Sequence, residues 1–171
     1  LYSSAASDVY KRQVMELCGL GSVKSCMRNS QRLPPERLLR IANDIACGVS
    51  YLHDPSISII HGDLKLDNVL LRDDGSAVLC DFGMSEAKNR SQTMTRAVPE
   101  NTKVTMQWTA PELFQGQQKT VSSDIYALGV TLFELFEDRE PFEGFSDALI
   151  MHNVINGARP TITHTPVTYT H

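Results

Sequence analysis

The sequence predicts a mainly α-helical fold that carries one short β-hairpin. Two long stretches place apolar residues at helical spacing, and between them two apolar triplets flank a turn rich in Asp and Gly. With 171 residues, 42% of them hydrophobic and 21% charged, the chain can bury a sizeable core, which sets aside a disordered tail or a fibrous repeat. Sixteen basic residues against twenty acidic ones leave a net charge of −4, so no nucleic-acid partner is expected. No apolar run approaches the ~18 residues that a membrane span needs.

The elements follow in order. Residues 1–13 (LYSSAASDVYKRQ) are rich in Ser and Ala and lack an apolar h-region, so they are expected as a non-domain leader or foreign sequence, and not as a signal peptide. Val14-Met15 opens a short apolar, strand-like stretch. Leu33-Pro34-Pro35 ends one segment and presets the next, because proline suits a first helical turn. From there Leu38, Ile41, Ala42, Ile45, Val49 and Leu52 recur at three- and four-residue steps, on one face of a long amphipathic helix.

The hairpin is Val69-Leu70-Leu71, the turn Asp73-Asp74-Gly75, then Ala77-Val78-Leu79. A second long helix is expected to open at Ser122-Ser123-Asp124, which are good capping types with an acidic first turn. It runs through Ile125, Leu128, Leu132 and Leu135-Phe136, is apolar nearly all round, and is therefore expected at the centre of the core, with Gly129 admitting a close neighbour. A third helix spans Asp147 to about Ile155 and ends at Asn156-Gly157. Residues 163–171, rich in Thr, read as an unstructured tail.

The four cysteines, Cys18, Cys26, Cys47 and Cys80, form no C-x-x-C pair and no cluster. Neither a zinc site nor a disulfide framework follows from that spacing; small thiols in a reducing compartment are expected.

Acidic residues stand out in the polar loops around the hairpin. One loop is His61-Gly62-Asp63-Leu64-Lys65-Leu66-Asp67-Asn68, a second is Asp81-Phe82-Gly83, and a third marker is Ala110-Pro111-Glu112. Each is weak alone. In order, with Asp63 and Asn68 five apart and a hairpin before Asp81, they resemble the protein kinase signature H-R-D-L-x-x-x-N, D-F-G and A-P-E. The Ser-Asp-Ile-Tyr-Ala-Leu-Gly run at 123–129 resembles the central helix of that family.

The resemblance covers roughly residues 14–162 and implies the large lobe of the bilobal kinase fold, from the segment joining the lobes to the helix after the central one. Nothing matches the Gly-rich loop, the Val-Ala-Ile-Lys strand or the glutamate-bearing helix of the small lobe. The small lobe is thus expected to be absent, and the chain to be an inactive fragment of an active parent. The run Gly19-Leu20-Gly21-Ser22-Val23-Lys24 only superficially suggests a phosphate-covering loop, because Lys24 stands where the third glycine belongs. Val14 to Cys18 resembles the hinge instead, with Met15 as gatekeeper and Glu16 and Cys18 offering backbone groups to adenine.

By the same resemblance Asp63 accepts the substrate hydroxyl proton, Lys65 neutralises the moving phosphoryl group, and Asn68 and Asp81 supply hard oxygens to Mg2+. ATP and Mg2+ are the implied cofactors, and a protein substrate is the implied partner. His61 braces the loop, Asp124 holds its backbone, Phe82 sets Asp81, and Thr105 bonds Asp63 and Lys65. Ser85, Ser91, Thr93, Thr95, Thr102, Thr105 and Thr109 lie in the activation and substrate-docking segment, where a phosphate would seek Arg90 or Arg96.

His-Gly-Asp-Leu-Lys, together with Trp108-Thr109-Ala110-Pro111-Glu112, resembles the tyrosine-kinase-like group of serine/threonine kinases. Gly62 stands where the signature has the arginine that receives an activation-loop phosphate, so ordering of that loop by phosphate is not expected in its usual form. A non-catalytic, pseudokinase-like binding module and a tyrosine-specific kinase are the alternatives. The first is opposed by the complete set Asp63, Lys65, Asn68 and Asp81, the second by Lys65. ATP use and unpaired cysteines imply the cytoplasm, or the cytoplasmic side of a membrane protein.

Overall fold

The structure is a computed structural model and describes residues 16–29, 33–82, 85–87 and 105–163. Five α-helices and two small antiparallel sheets alternate along them.

The first helix, α1 (Val23–Asn29), was not expected from the sequence. Its signal is nonetheless local. Ser22 caps it through Oγ, which accepts from the Ser25 amide at 3.1 Å, and Val23, Cys26 and Met27 fall on one face against the core. Helix α2 (Pro35–His53) starts at the expected proline and buries the expected face of Leu38, Ile41, Ile45, Val49 and Leu52. Each such side chain contributes about 1.5–3 kcal/mol relative to leaving it in water.

The hairpin forms at the expected residues: β2 (Val69–Leu71) pairs with β3 (Ala77–Leu79), Val69 opposite Leu79 and Leu71 opposite Ala77. Gly75 takes φ 82° in its turn, and the Asp74 carboxylate accepts from the Ser76 amide and hydroxyl at 2.9 and 2.7 Å. Helix α2 packs closely on the hairpin's flank. At Gly48 of α2 a Cβ would meet Leu79 Cδ1 at 3.0 Å, so this glycine sets how closely α2 and β3 approach. The sequence points to Gly129 for that role, but a Cβ there would meet open space. A second strand pair, β1 (Ile59–Ile60) with β4 (Glu86–Ala87), lay outside the expected elements. Strands of two residues carry too little alternation to be read.

The short helix α3 (Pro111–Phe114) precedes α4 (Val121–Glu137). Helix α4 opens earlier than Ser122-Ser123-Asp124: Thr120 is the cap, its hydroxyl accepting from Ser123 N–H while Ser123 Oγ accepts from Thr120 N–H at 2.9 Å. The reciprocal pair wins because it satisfies two orphan donors at once. Thr120→Ala is expected to lower stability by about 1 kcal/mol, read by denaturant titration. Ala127, Val130, Thr131 and Leu135 of α4 are buried, yet Ile125 is 50% exposed, so the helix is central without being enclosed all round. Helix α5 (Asp147–Ile155) matches its expected span, with Ser146 as cap and Gly157 at φ 88° just past the end.

The core joins Val23 of α1, the apolar face of α2, Leu64, Leu66, Val69, Trp108 and the inner face of α4. The His61–Asn68 loop therefore lies on a packed floor, between β1 and β2.

Candidate active site

The hairpin brings the two ends of the site together. Because Val69 opposes Leu79, the residues just outside the ladder are also opposed, and Cys80 N–H donates to Asn68 O at 2.9 Å. Asn68 and Asp81, thirteen positions apart in the chain, are thereby held at one end of a single ladder. Asp81 is exposed and adopts φ 59°, a left-handed conformation that Asp tolerates better than most residues. Phe82 follows with its ring 5.1 Å from that of His61. Gly83 lies outside the described residues.

Asp63 is the hub of the loop. Its Oδ2 accepts from Lys65 Nζ at 2.8 Å and from Asn68 Nδ2 at 2.8 Å. Asn68 Nδ2 also donates to the Asp63 carbonyl at 2.8 Å, which fixes side chain and backbone together. Lys65 Nζ donates onward to Thr105 Oγ1 at 3.0 Å. Among the described residues Oδ1 takes one long contact, from the Thr105 hydroxyl at 3.5 Å. One carboxylate oxygen is thus saturated, and the other retains the capacity to accept a proton from a hydroxyl brought beside it. The structure accordingly brings Asp63, Lys65, Asn68 and Thr105 into one cluster.

Below the loop lies Asp124, 1% exposed. Its Oδ2 accepts from His61 N–H at 2.7 Å and its Oδ1 from Gly62 N–H at 2.9 Å, so a buried carboxylate on α4 suspends the loop backbone. Gly62 turns at φ 77°, in the left-handed region where a residue without Cβ carries no strain. The His61 imidazole, fully buried, bridges the loop to the hairpin. Its Nδ1 accepts from Asp63 N–H at 3.3 Å, and its Nε2–H donates to the Cys80 carbonyl at 3.1 Å. Ser85 closes the other side, its hydroxyl donating to the His61 carbonyl at 3.1 Å.

Burial pushes the His61 imidazole below its ordinary value of 6.5, outweighing the Cys80 carbonyl and the carboxylates of Asp124, Asp63 and Asp81, which favour protonation. A histidine with a lowered native pKa binds fewer protons folded than unfolded once the pH is below about 6.5. Stability is therefore expected to fall as the pH is lowered through that value and to be insensitive to His61 above it. Melting temperatures from about pH 7.5 to about pH 5.5 check this: His61→Gln should flatten the acid slope.

The segment from Glu16 to Ser22 runs beside the hairpin. Gly21 N–H donates to the Cys18 carbonyl at 3.1 Å, Leu71 N–H donates to the Gly21 carbonyl at 2.9 Å, and Ser22 bridges Leu70. The Glu16 carboxylate is held by Arg72 through two bonds of 2.8 and 2.9 Å, and this guanidinium keeps it below the ordinary carboxylate range. Burial first, then the neighbouring Asp81 carboxylate, pushes the Cys80 thiol up. Lys24 belongs to α1 and pairs with Glu134. Met15 lies outside the described residues, as do Ser91, Thr93, Thr95 and Thr102 with Arg90 and Arg96.

The donor set fits Mg2+. Asn68 uses its amide N–H on Asp63, which leaves the amide oxygen as a hard acceptor, and Asp81 adds a carboxylate at the same hairpin end. Among the described residues no group of three or more His, Cys, Asp or Glu could hold a metal by itself.

His53, the last residue of α2, is a member of this site that sequence reasoning missed: its Nε2 contacts Asp124 Oδ2 at 2.9 Å. A histidine at a helix end carries no local signal of a partner 71 positions away.

The family model for protein tyrosine and serine/threonine kinases matches residues 4–168. The chain is 32% identical over 160 residues to a serine/threonine-protein kinase/receptor of Acanthamoeba polyphaga mimivirus, covering 92% of this chain and 9% of that protein. It is 36% identical over 154 residues to a LIM domain-containing serine/threonine-protein kinase of Dictyostelium discoideum, covering 90% of this chain and 23% of the relative. To a serine/threonine-protein kinase of Caenorhabditis elegans it is 37% identical over 131 residues, covering 75% and 25%. The chain therefore spans about a tenth to a quarter of the length of these relatives.

Proposed function

The chain belongs to the protein tyrosine and serine/threonine kinase family, and on that premise we propose that it carries the phosphoryl-transfer site of an ATP- and Mg2+-dependent protein serine/threonine kinase. The observation that carries the reading is the Asp63 carboxylate, with Oδ2 held by Lys65 and Asn68 and Oδ1 left to receive a proton. Asp63 orients the substrate hydroxyl and takes its proton, which raises the nucleophilicity of that oxygen as it meets the phosphoryl group. Lys65, tied to Asp63 and Thr105, places a positive charge where the phosphoryl oxygens accumulate negative charge. Asn68 and Asp81 hold Mg2+, which supplies neutralisation of phosphate charge when bound.

The finer assignments rest on the same resemblance. Residues 14–162 form the kinase portion, equivalent to the large lobe, between a leader at 1–13 and a tail at 163–171. Met15, Glu16 and Cys18 form the adenine-facing hinge; the docking of Gly21 and Ser22 onto the hairpin supports this, because it ties that segment to the element bearing Asn68 and Asp81. Lys65 and the Trp108 to Glu112 run favour serine/threonine specificity of the tyrosine-kinase-like group. The parent acts in the cytoplasm or on the cytoplasmic side of a membrane. The 171-residue chain alone has negligible activity, because nothing in it matches the lysine strand that positions ATP phosphates.

The test is calorimetric titration of ATP into the complete parent kinase with and without Mg2+. Mg2+ is expected to tighten nucleotide binding, and Asp81→Asn to remove that gain. Equal affinity in both conditions would overturn the reading, as would robust turnover by Asp81→Asn.

A further inference from the structure

The segment that leads into α1 is gripped from the side by the hairpin. Arg72 directly follows β2, and its own backbone is locked into the turn. Its N–H donates to the Ser76 carbonyl at 2.9 Å, and its carbonyl accepts from Gly75 N–H at 2.9 Å. From that fixed base the guanidinium reaches the Glu16 carboxylate, Nε donating to Oε1 at 2.8 Å and a terminal nitrogen to Oε2 at 2.9 Å. Two parallel bonds set the direction of a carboxylate as well as its distance, which a lysine ammonium would not do.

Packing does not place Glu16, for it is exposed and Leu17 beside it is 90% exposed. Further along, the Cys18 carbonyl is tied to Gly21 N–H, and the Gly21 carbonyl to Leu71 N–H of β2. A Cβ on Gly19 would lie 2.7 Å from Asp73 Oδ1, so the segment passes directly against the turn. Glu16 and Cys18, the two positions whose backbone groups are assigned to adenine, are thus both referred to the hairpin. Asn68 immediately precedes β2 at its opposite end, with Asp81 just beyond the partner strand. One rigid element therefore carries the Mg2+ donors at one end and the fork that holds Glu16 at the other.

We propose that Arg72 is a positioning residue for nucleotide binding: by holding the Glu16 carboxylate it fixes the adenine-facing backbone relative to Asn68 and Asp81. The proposal rests on the kinase reading for its consequence in ATP binding, but not for its geometry. An exposed ion pair contributes little to folding. Its effect here is preorganisation, since a segment already held need not be ordered when the nucleotide arrives.

Steady-state kinetics of the complete parent kinase tests it. Arg72→Met should raise the KM for ATP about two- to fivefold, the range of an exposed pair of good geometry, with kcat and the melting temperature nearly unchanged. Glu16→Gln should raise KM in the same way. The double variant should be no worse than either single one, and the exchanged pair Glu16→Arg, Arg72→Glu should recover most of the loss. If Arg72 merely attracted the phosphates, Glu16→Gln would remove a repelling charge and lower KM. A lowered or unchanged KM in Glu16→Gln, or additive losses in the double variant, would overturn the proposal.

Amide hydrogen exchange in the same protein without nucleotide reads the geometry alone. The Gly21 amide should exchange about two- to fivefold faster in both single variants, while the Val130 and Leu135 amides of α4 keep their rates. No change at Gly21, or uniform acceleration, would also overturn the proposal. Absence of ATP binding by the unaltered parent would sink the kinase reading, while the exchange result would still decide whether Arg72 holds the segment.

Discussion

Asp63→Asn in the complete parent kinase should reduce kcat by about 10²–10⁴-fold, the range of a lost general base, while leaving the melting temperature close to that of the unaltered protein. The substitution keeps the shape of the side chain. The amide oxygen takes the position of Oδ2, where it still accepts from Lys65 Nζ and Asn68 Nδ2, both donors at 2.8 Å. The NH2 then stands at the position of Oδ1, where it cannot remove a proton from a hydroxyl. The fold is spared because Asp63 stands above the core: Leu64 and Leu66, on either side of Lys65, are the loop residues that pack into it. Steady-state kinetics with ATP and a protein substrate, paired with a melting curve, separates the two effects.

Lys24→Met should destabilise the chain by about 3–5 kcal/mol, the cost of leaving a buried ion without its partner. Lys24 is 8% exposed and Glu134 1%, and Nζ bonds Glu134 Oε1 across 110 positions, with Glu140 a second, weaker partner at 3.6 Å. Burial pushes the Glu134 carboxyl up, and the bond and charge of Lys24 pull it back. Without Lys24 the native carboxyl rises further, so the folded state gains protons relative to the unfolded chain. For such a group the stabilisation is present at pH below the unfolded value near 4.5 and is lost as the pH rises through the native value. The deficit of Lys24→Met should therefore be smallest in acid and grow towards neutrality. The double variant Lys24→Met, Glu134→Leu should recover most of the loss, because an apolar pair of similar volume removes both desolvation costs. Urea titrations of the unaltered chain and of both variants at two pH values check the set.

What could be read from the sequence was local. The apolar stripe of α2, the Asp-Gly turn of the hairpin and the span and stop of α5 each announce themselves within a few residues, and all three form as expected. The site residues were legible for a related reason: carboxylates and an amide in loops beside a hairpin are not needed for packing. The ladder then turns Asn68 and Asp81 into neighbours, and a buried floor holds Asp63 above it.

What was missed depends on partners distant in the chain. The Lys24 to Glu134 pair, the His53 to Asp124 bond and the pairing of Ile59 with Ala87 all join residues separated by 28 positions or more. Gly129 looked like the close-approach glycine because it sits in an apolar helix. Gly48 fills that role because Leu79 happens to cross it. Helix α4 opens earlier than its capping residues suggest for a different reason. Ser122, Ser123 and Asp124 are all good caps, but Asp124 is engaged with the loop amides and Ser123 with Thr120.

The central claim is that the cluster around Asp63 transfers the γ-phosphoryl group of ATP to a hydroxyl of serine or threonine. Labelled γ-phosphate incorporation by the complete parent kinase, followed by phosphoamino-acid analysis of the product, tests it most directly. Phosphoserine or phosphothreonine that disappears in Asp63→Asn is the predicted result. Phosphotyrosine as the product, or incorporation that persists undiminished in Asp63→Asn, would contradict it.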